Sequence, residues 1–357
     1  MKIGMIGLPQ TGKKTLFELL TNHAPTEKEL ISNKPIKGVA DIRDPRFERL
    51  VSLYRPKKNV MARIDIELLP KIEKDTIAKG DIFTDINDLD AICHVVRAFT
   101  DDSVYHASGS VDPKRDIEMV NSELILYDLI FVEKRLERVE HKIKQIGDDA
   151  SKKECEVLLK MKEHLDKTMP LRLLELTPDE KKLISSFPLV TRKEMMIALN
   201  VSEGDLKDES LVSSLKNAYA PIRLDVMQVS AKMEGEIAKL ESEEDRKAFL
   251  QDSGISEPAI NALTRLCIKT LSLISFFTVG EDEVRQWTVR KGSSAPEAAG
   301  AIHSDLQKGF IRAEVIKFAD LAALGSEDKV KEAGKFYLKG KDYIVDDGDI
   351  LCIRFSV

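Results

Sequence analysis

The chain has 357 residues, 43% of them apolar, and sets 55 Lys and Arg against 61 Asp and Glu for a net charge of -6. That length calls for two or three domains with true cores, and the charge excludes a protein basic throughout while leaving room for a local basic face. No apolar stretch reaches membrane-spanning length and no secretory leader is recognisable, so a cytoplasmic location is expected.

Lys2 to Ile6 reads as a strand, and it runs straight into Gly7-Leu8-Pro9-Gln10-Thr11-Gly12-Lys13-Lys14-Thr15. A phosphate-binding loop wants Gly, four residues, Gly-Lys and then Ser or Thr. Gly7, Gly12 and Lys13 fit; Lys14 does not. Main-chain amides of the turn, and of a helix running from Lys13 to Thr21, can still hold phosphates, and Lys13 can reach the terminal ones. Pro9, Gln10, Thr11 and Thr15 complete the nucleotide-binding set. The hydroxyl that would hold Mg²⁺ is absent at its usual place, so binding is better supported than hydrolysis.

Further along, Val60 to Leu68 alternates, with Ile64, Ile66 and Leu68 on one face of an expected strand. Ala91 to Phe99 (AICHVVRAF) is an apolar run suited to a buried parallel strand, and Met195 to Asn200 and Ile222 to Val229 read as two more. Strands alternating with helices predict an α/β fold with a doubly wound, mainly parallel sheet. Ile125, Leu129, Val132, Leu136, Val139, Ile143 and Ile146 step by four and three, as one face of a long helix does. Gly147, Asp148 and Asp149 break that seam, and Leu158, Met161 and Leu165 resume it. An antiparallel helical arm projecting from the sheet domain is expected, with Glu133, Lys134, Arg135 and Arg138 on its outer faces and Pro170 and Pro178 on the way back. From about Phe276 a small α+β module begins, with short strands at Thr288 to Arg290, Ala313 to Phe318, Gly334 to Leu338 and Ile350 to Phe355. Cys93, Cys155, Cys267 and Cys352 form no CxxC pair, and three of them lie in apolar surroundings that suit buried free thiols; neither His nor Cys has metal-ligand spacing.

The loop, AICHVVRAF, SVDPKRDIE, SELIL, SAK and WTVRKGSSAPEAAGAIHSDLQKGFIRAEVI together resemble the YchF or Obg-like ATPase family. The likeness covers nearly the whole chain and is strongest from Asp90 to Arg138 and from Ser275 to Val357. It implies a P-loop G domain over 1–118 and 186–275, a helical coiled-coil arm over 119–185 and a C-terminal β-grasp (TGS) domain over 276–357. A guanine site has Asn-Lys-x-Asp, whereas Asn200-Val201-Ser202-Glu203 lacks the Lys and carries the longer Glu. The resemblance therefore implies ATP as the cofactor, with GTP possible. Ser230-Ala231-Lys232 matches the second base-side loop, whose amides and Lys232 stem can pack on the base. His106, in Tyr105-His106-Ala107-Ser108-Gly109, matches the histidine implicated in hydrolysis, where a neutral imidazole can orient water or pass a proton. His94 reads as a satisfied structural residue and His303 as a surface one.

Several positions depart from the family. Asp65-Ile66-Glu67-Leu68 is read as the Asp-x-x-Gly segment, with Leu68 where Gly is wanted and Leu69 at the next, already apolar, position. The loop after it, 70–80, carries Lys, Ile and Glu in place of Gly. Ser32 aligns with the Thr of the first switch and is followed by Asn33-Lys34-Pro35, Lys34 replacing an acidic residue. Asp65 and Ser32 are thus the Mg²⁺ candidates, and three readings of Lys14 stay open. The ion is held by phosphate oxygens, water, Asp65 and Ser32, with slow hydrolysis; or the Lys14 ammonium neutralises the phosphates without turnover; or Lys14 faces solvent. Arg285, Arg290, Lys291, Lys308 and Arg312 beside Trp287 and Phe310 suit RNA, and the TGS likeness implies ribosome or RNA contact through that domain and the arm. A monomer without a membrane partner is expected. The leading expectation is an adenine-nucleotide-binding protein of translation-factor type, a weak ATPase at most; a non-hydrolysing scaffold and a GTP-dependent switch are the alternatives.

Overall fold

The computed structural model describes all residues except 33, 73–84, 107, 146, 254, 256 and 357. Ile146 of the helical seam, Asn33, Ala107 and most of the 70–80 loop therefore lie outside the described residues. In chain order the first elements are β1 (Lys2–Ile6), α1 (Lys13–Thr21), α2 (Glu27–Ile31), β2 (Ile36–Asp41), α3 (Pro45–Tyr54), β3 (Lys58–Val60), β4 (Arg63–Leu68) and β5 (Ala91–Arg97). Then come α4 (Pro113–Gln145), α5 (Asp149–Asp166), α6 (Pro178–Leu183), β6 (Glu194–Asn200), α7 (Ser210–Tyr219), β7 (Asp225–Val229), α8 (Ala231–Lys239), α9 (Glu243–Ser253) and α10 (Ala259–Thr270). The last are β8 (Leu273–Thr278), β9 (Glu283–Arg290), α11 (Ala295–Ile302), α12 (Ser304–Lys308), β10 (Phe310–Lys317), α13 (Phe318–Leu324), α14 (Glu327–Glu332), β11 (Phe336–Lys339) and β12 (Asp349–Phe355). Two compact units result: Met1–Gly38 with Asp65–Ile260, and Val39–Ile64 with Asn261–Val357.

The first unit is built on a sheet in the order β2-β4-β1-β5-β6-β7, with β4, β1, β5, β6 and β7 paired parallel. Every residue of β5 is buried, as a strand covered on both faces requires. A parallel sheet of this kind puts its ligand at the carboxyl ends of the strands. Those ends are Ile6, Leu68, Arg97, Asn200 and Val229.

The seam expected from Ile125 onward belongs to a single helix, α4, of 33 residues, so it starts well before the heptad pattern is visible. Its buried stripe of Val132, Leu136 and Val139 packs on Val157, Leu158, Met161 and Leu165 of α5. Each such side chain contributes about 1.5–3 kcal/mol. Asp128, fully buried on α4, accepts from the Val190 and Thr191 amides at 2.9 and 2.8 Å and pins the returning chain to the helix.

In the second unit β8 and β9 form an antiparallel hairpin, α11 follows, β10 pairs antiparallel with β11 and β12, and β12 lies parallel to β8. This is a β-grasp arrangement. It is enlarged by β3, which adds to β9, and by α3, whose Phe47 and Leu50 join Phe277, Val284, Ile316 and Ile350 in one cluster. The strand expected from Val60 to Leu68 is β4, which starts at Arg63 and carries Ile64, Ile66 and Leu68, while Val60 ends β3, whose partner β9 lies more than two hundred residues away in the other sheet. Phe310 is buried in the core and is not available to stack on bases. Trp287 is half-buried, stacks on Phe276 at 6.4 Å and donates Nε1–H to Thr278 Oγ1 at 3.0 Å. All four cysteines are free; Cys93 and Cys267 are buried, whereas Cys155 is half-buried and Cys352 exposed, so two rather than three are buried. His303 is exposed, and its Nδ1 caps α12 by accepting from the Asp305 amide.

Candidate functional site

The carboxyl end of β1 turns directly into the glycine loop. A Cβ on Gly7 would stand 2.5 Å from the Val95 carbonyl oxygen, so no side chain fits between β1 and β5 there. Gly12 has φ +85°, and a Cβ on it would overlap the Asn200 amide. Gln10 also sits in the left-handed region, at φ 62°. These conformations fold Leu8 to Gly12 into a tight arch, closed by Thr11 Oγ1 donating to the Leu8 carbonyl at 3.2 Å. Gly12 caps α1 without a side-chain hydrogen bond, and the first turn carries no acidic residue. The amides of Lys13, Lys14 and Thr15 thus have no intrahelical acceptor, and the helix dipole makes that end attractive to an anion.

Lys13 is buried and turned back on the chain. Its ammonium donates to the carbonyls of Leu69 at 2.9 Å and Pro70 at 3.0 Å, with Gly7 at 3.5 Å. Burial, then the nearby Lys71, pushes its pKa down to about 7. The phosphate-seeking group is therefore latched to the segment after β4, and the Ile72 amide donates to the Gly7 carbonyl at 3.5 Å to close the same contact. Beneath it, His94 on β5 pairs with Ile6 in register. It is fully buried, and neither ring nitrogen has a hydrogen-bond partner among the described residues, so the expected satisfied histidine is not satisfied there. Burial, then Lys13, drives its pKa down to about 3, which keeps it neutral.

Asn200, at the end of β6, joins the two halves of the site. Its Nδ2 donates to the Thr11 carbonyl at 3.0 Å and its Oδ1 accepts from the Ala231 amide at 3.0 Å. One buried side chain thus ties the phosphate loop to the base-side loop. Ser230 is buried and its Oγ caps α8 by accepting from Met233, while Lys232 is exposed on the first turn of that helix. Glu203 begins a short 3₁₀ turn after β6 and is exposed. Lys14 and Thr15 are exposed as well.

His106 is buried, and both of its nitrogens are engaged. Nδ1 accepts from the Ser108 amide at 3.1 Å, so the proton sits on Nε2, which donates to Asp116 Oδ2 at 3.0 Å. Asp116, at the start of α4, is held in turn by Arg115 at 2.9 and 3.1 Å. The imidazole has no nitrogen left to orient water in this arrangement, and acting as a base would require it to leave Asp116. Nothing in the sequence marked Asp116, ten residues on, as its partner.

The loop motif implies Mg²⁺, and the residues present do not fit it. Asp65 lies within its strand and short of the loop: the parallel register sets it beside Lys2, whereas Leu68 lies beside Met5, next to the loop. At about 3.3 Å per residue, three residues place Asp65 roughly 10 Å short of the carboxyl end. Its carboxylate instead meets the amino terminus at 3.7 Å. Ser32 ends α2, and its Oγ donates to the Glu29 carbonyl at 2.7 Å. No group of three or more His, Cys, Asp or Glu able to hold a metal occurs among the described residues.

Residues 273–356 match the model of the family YchF-GTPase_C, described as a protein of unknown function (DUF933). The Ribosome-binding ATPase YchF of Bacillus subtilis (strain 168) is 42% identical over 364 residues, spanning 99% of this chain and 99% of that protein. The Ribosome-binding ATPase YchF of Escherichia coli O157:H7 is 39% identical over 362 residues, spanning 100% and 99%. Among solved structures, the Schizosaccharomyces pombe YchF GTPase superposes with a TM-score of 0.81 at 29% identity, over 99% of this chain and 97% of that one.

Proposed function

The chain belongs to the YchF family, and on that premise we propose that it binds ATP in preference to GTP at the Gly7–Thr15 loop and does so in association with the ribosome. The observation that carries this reading is the Asn200 bridge between Thr11 and Ala231, which makes one site of the phosphate loop and the base-side loop. A triphosphate lies against the first-turn amides of α1, and Lys13 exchanges the Leu69 and Pro70 carbonyls for phosphate oxygens. Glu203 stands where a guanine site places Asp, and the Lys that would cover the base is absent; both weaken the grip on guanine. Titration calorimetry with ATP, GTP and ADP, with and without Mg²⁺, tests this. ATP binding more tightly than GTP is the expected result, and a guanine preference overturns it.

The ribosomal part rests on the names of the Bacillus and Escherichia relatives and on the cations of the C-terminal module. Residues 276–357 serve in this proposal as a TGS domain, with Arg285, Arg290, Lys291, Lys308 and Arg312 meeting RNA phosphates; 1–118 with 186–275 form the G domain and 119–185 the arm. Among the described residues no helix is long and apolar enough to cross a membrane, and a cytoplasmic monomer is part of the same proposal. Co-sedimentation with ribosomes that does not change between ATP and no nucleotide would count against a nucleotide-driven switch.

A second reading, nucleotide binding without turnover, is favoured by His106 being fully engaged with Asp116 and Ser108 and by the misfit of Asp65, Ser32 and Lys14 to a metal. Weak ATP turnover that depends on His106 supports the first reading; tight ATP binding with no phosphate released supports the second.

A further inference from the structure

The largest fully buried side chain among the described residues is a cation, Arg97, at the end of β5. Among the described residues no carboxylate partners it. Its guanidinium is spent on the main chain of the loop that follows: Nε donates to the Phe99 carbonyl at 3.2 Å, Nη1 to Val104 and Tyr105 at 3.1 Å each, and Nη2 to Asp101 at 3.3 Å. The same guanidinium lies over the Phe99 ring at 4.5 Å. A buried charge is costly unless its donors are satisfied, and four converging carbonyls do that here. A lysine has the charge but not the fork that spans them.

The loop so held is at the carboxyl end of the sheet. The Ala98 amide donates to the Asn200 carbonyl at 2.8 Å, next to the bridge between Thr11 and Ala231. Ser103 donates its amide and hydroxyl to Asp101 at 2.9 and 2.6 Å, which holds that carboxylate below the usual range, and Asp101 also lies in the fields of Arg97 and Lys232. The loop ends at His106. We propose that Arg97 is a positioning residue of the nucleotide site: by gathering the Phe99, Asp101, Val104 and Tyr105 carbonyls it fixes the loop that starts beside Asn200 and delivers His106 to Asp116. This rests on the nucleotide reading above.

The test uses the full chain, with R97K and the apolar R97M. Nitrogen NMR of the histidines reports the His106 pattern, one accepting and one protonated nitrogen, and calorimetry reports ATP affinity. Both variants are expected to keep the fold by circular dichroism, lose the fixed tautomer of His106 and bind ATP about tenfold more weakly. A variant that is only less stable, with the His106 pattern and ATP affinity of its folded form unchanged, overturns the proposal. Should R97M not fold, R97K decides. Absence of ATP binding in the unmodified chain would sink the nucleotide reading, while the His106 pattern would still show whether Arg97 holds the loop.

Discussion

Binding of a triphosphate should draw a proton from solvent onto Lys13. In the free chain its ammonium is buried against the Leu69 and Pro70 carbonyls with a pKa of about 7. Phosphate oxygens at hydrogen-bond distance favour the charged form and return the pKa to the ordinary lysine range, above about 10. At pH 8 the free chain then carries about 0.1 proton on Lys13 and the complex about 1, so uptake is about 0.9 proton per ATP. Because uptake and affinity are linked, binding weakens by roughly tenfold for each pH unit above about 7.5. Calorimetry at pH 8 in buffers of different ionisation enthalpy reads the uptake as a slope, at a pH where ATP is itself fully ionised. Lys13→Met removes the slope. A heat independent of buffer, or equal affinity at pH 7.5 and 9, refutes the reasoning.

Three further outcomes follow from the same geometry. Asn200→Ala leaves the Thr11 carbonyl and the Ala231 amide unpaired, at a cost of about 1–3 kcal/mol each, so urea unfolding should shift and ATP affinity fall together. Unchanged stability would mean the bridge is not made. His94→Leu replaces two unpartnered ring nitrogens with an apolar chain of similar size and should stabilise the fold by about 1 kcal/mol in urea titration; a loss of stability would reveal a partner for that ring. Lys14→Ser restores the hydroxyl expected of a phosphate loop and should make ATP affinity or turnover depend more strongly on Mg²⁺, and identical metal titrations would dismiss that role for Lys14.

Local patterns gave away the parts of the fold that are local. Four residues from Ile3 to Ile6, all buried, before a glycine turn announce β1 and its loop, and AICHVVRAF reads as a covered strand because all its positions are apolar or small except His94 and Arg97. The α4 seam is legible because steps of four and three keep one face turned inward. Pairing is not local. β3 belongs to β9, and residues 39–64 group with the C-terminal unit, through contacts spanning more than two hundred residues. Register is not local either: Asp65 was placed by motif spacing, and only the pairing with Lys2 reveals that it sits three residues short of the strand's carboxyl end. Within the site, the glycines and Lys13 are readable from their spacing. The use of Arg97 and Asp116 is not, since their partners are main-chain carbonyls and a histidine set by a loop conformation that carries no sequence signature.

The central claim is that main-chain amides at the start of α1 hold a triphosphate. Amide NMR of the full chain titrated with ATP tests it most directly. The account predicts large downfield shifts at Gly12, Lys13, Lys14 and Thr15, with the Ile72 amide released from Gly7. Saturating ATP that leaves those four amides unmoved would contradict it.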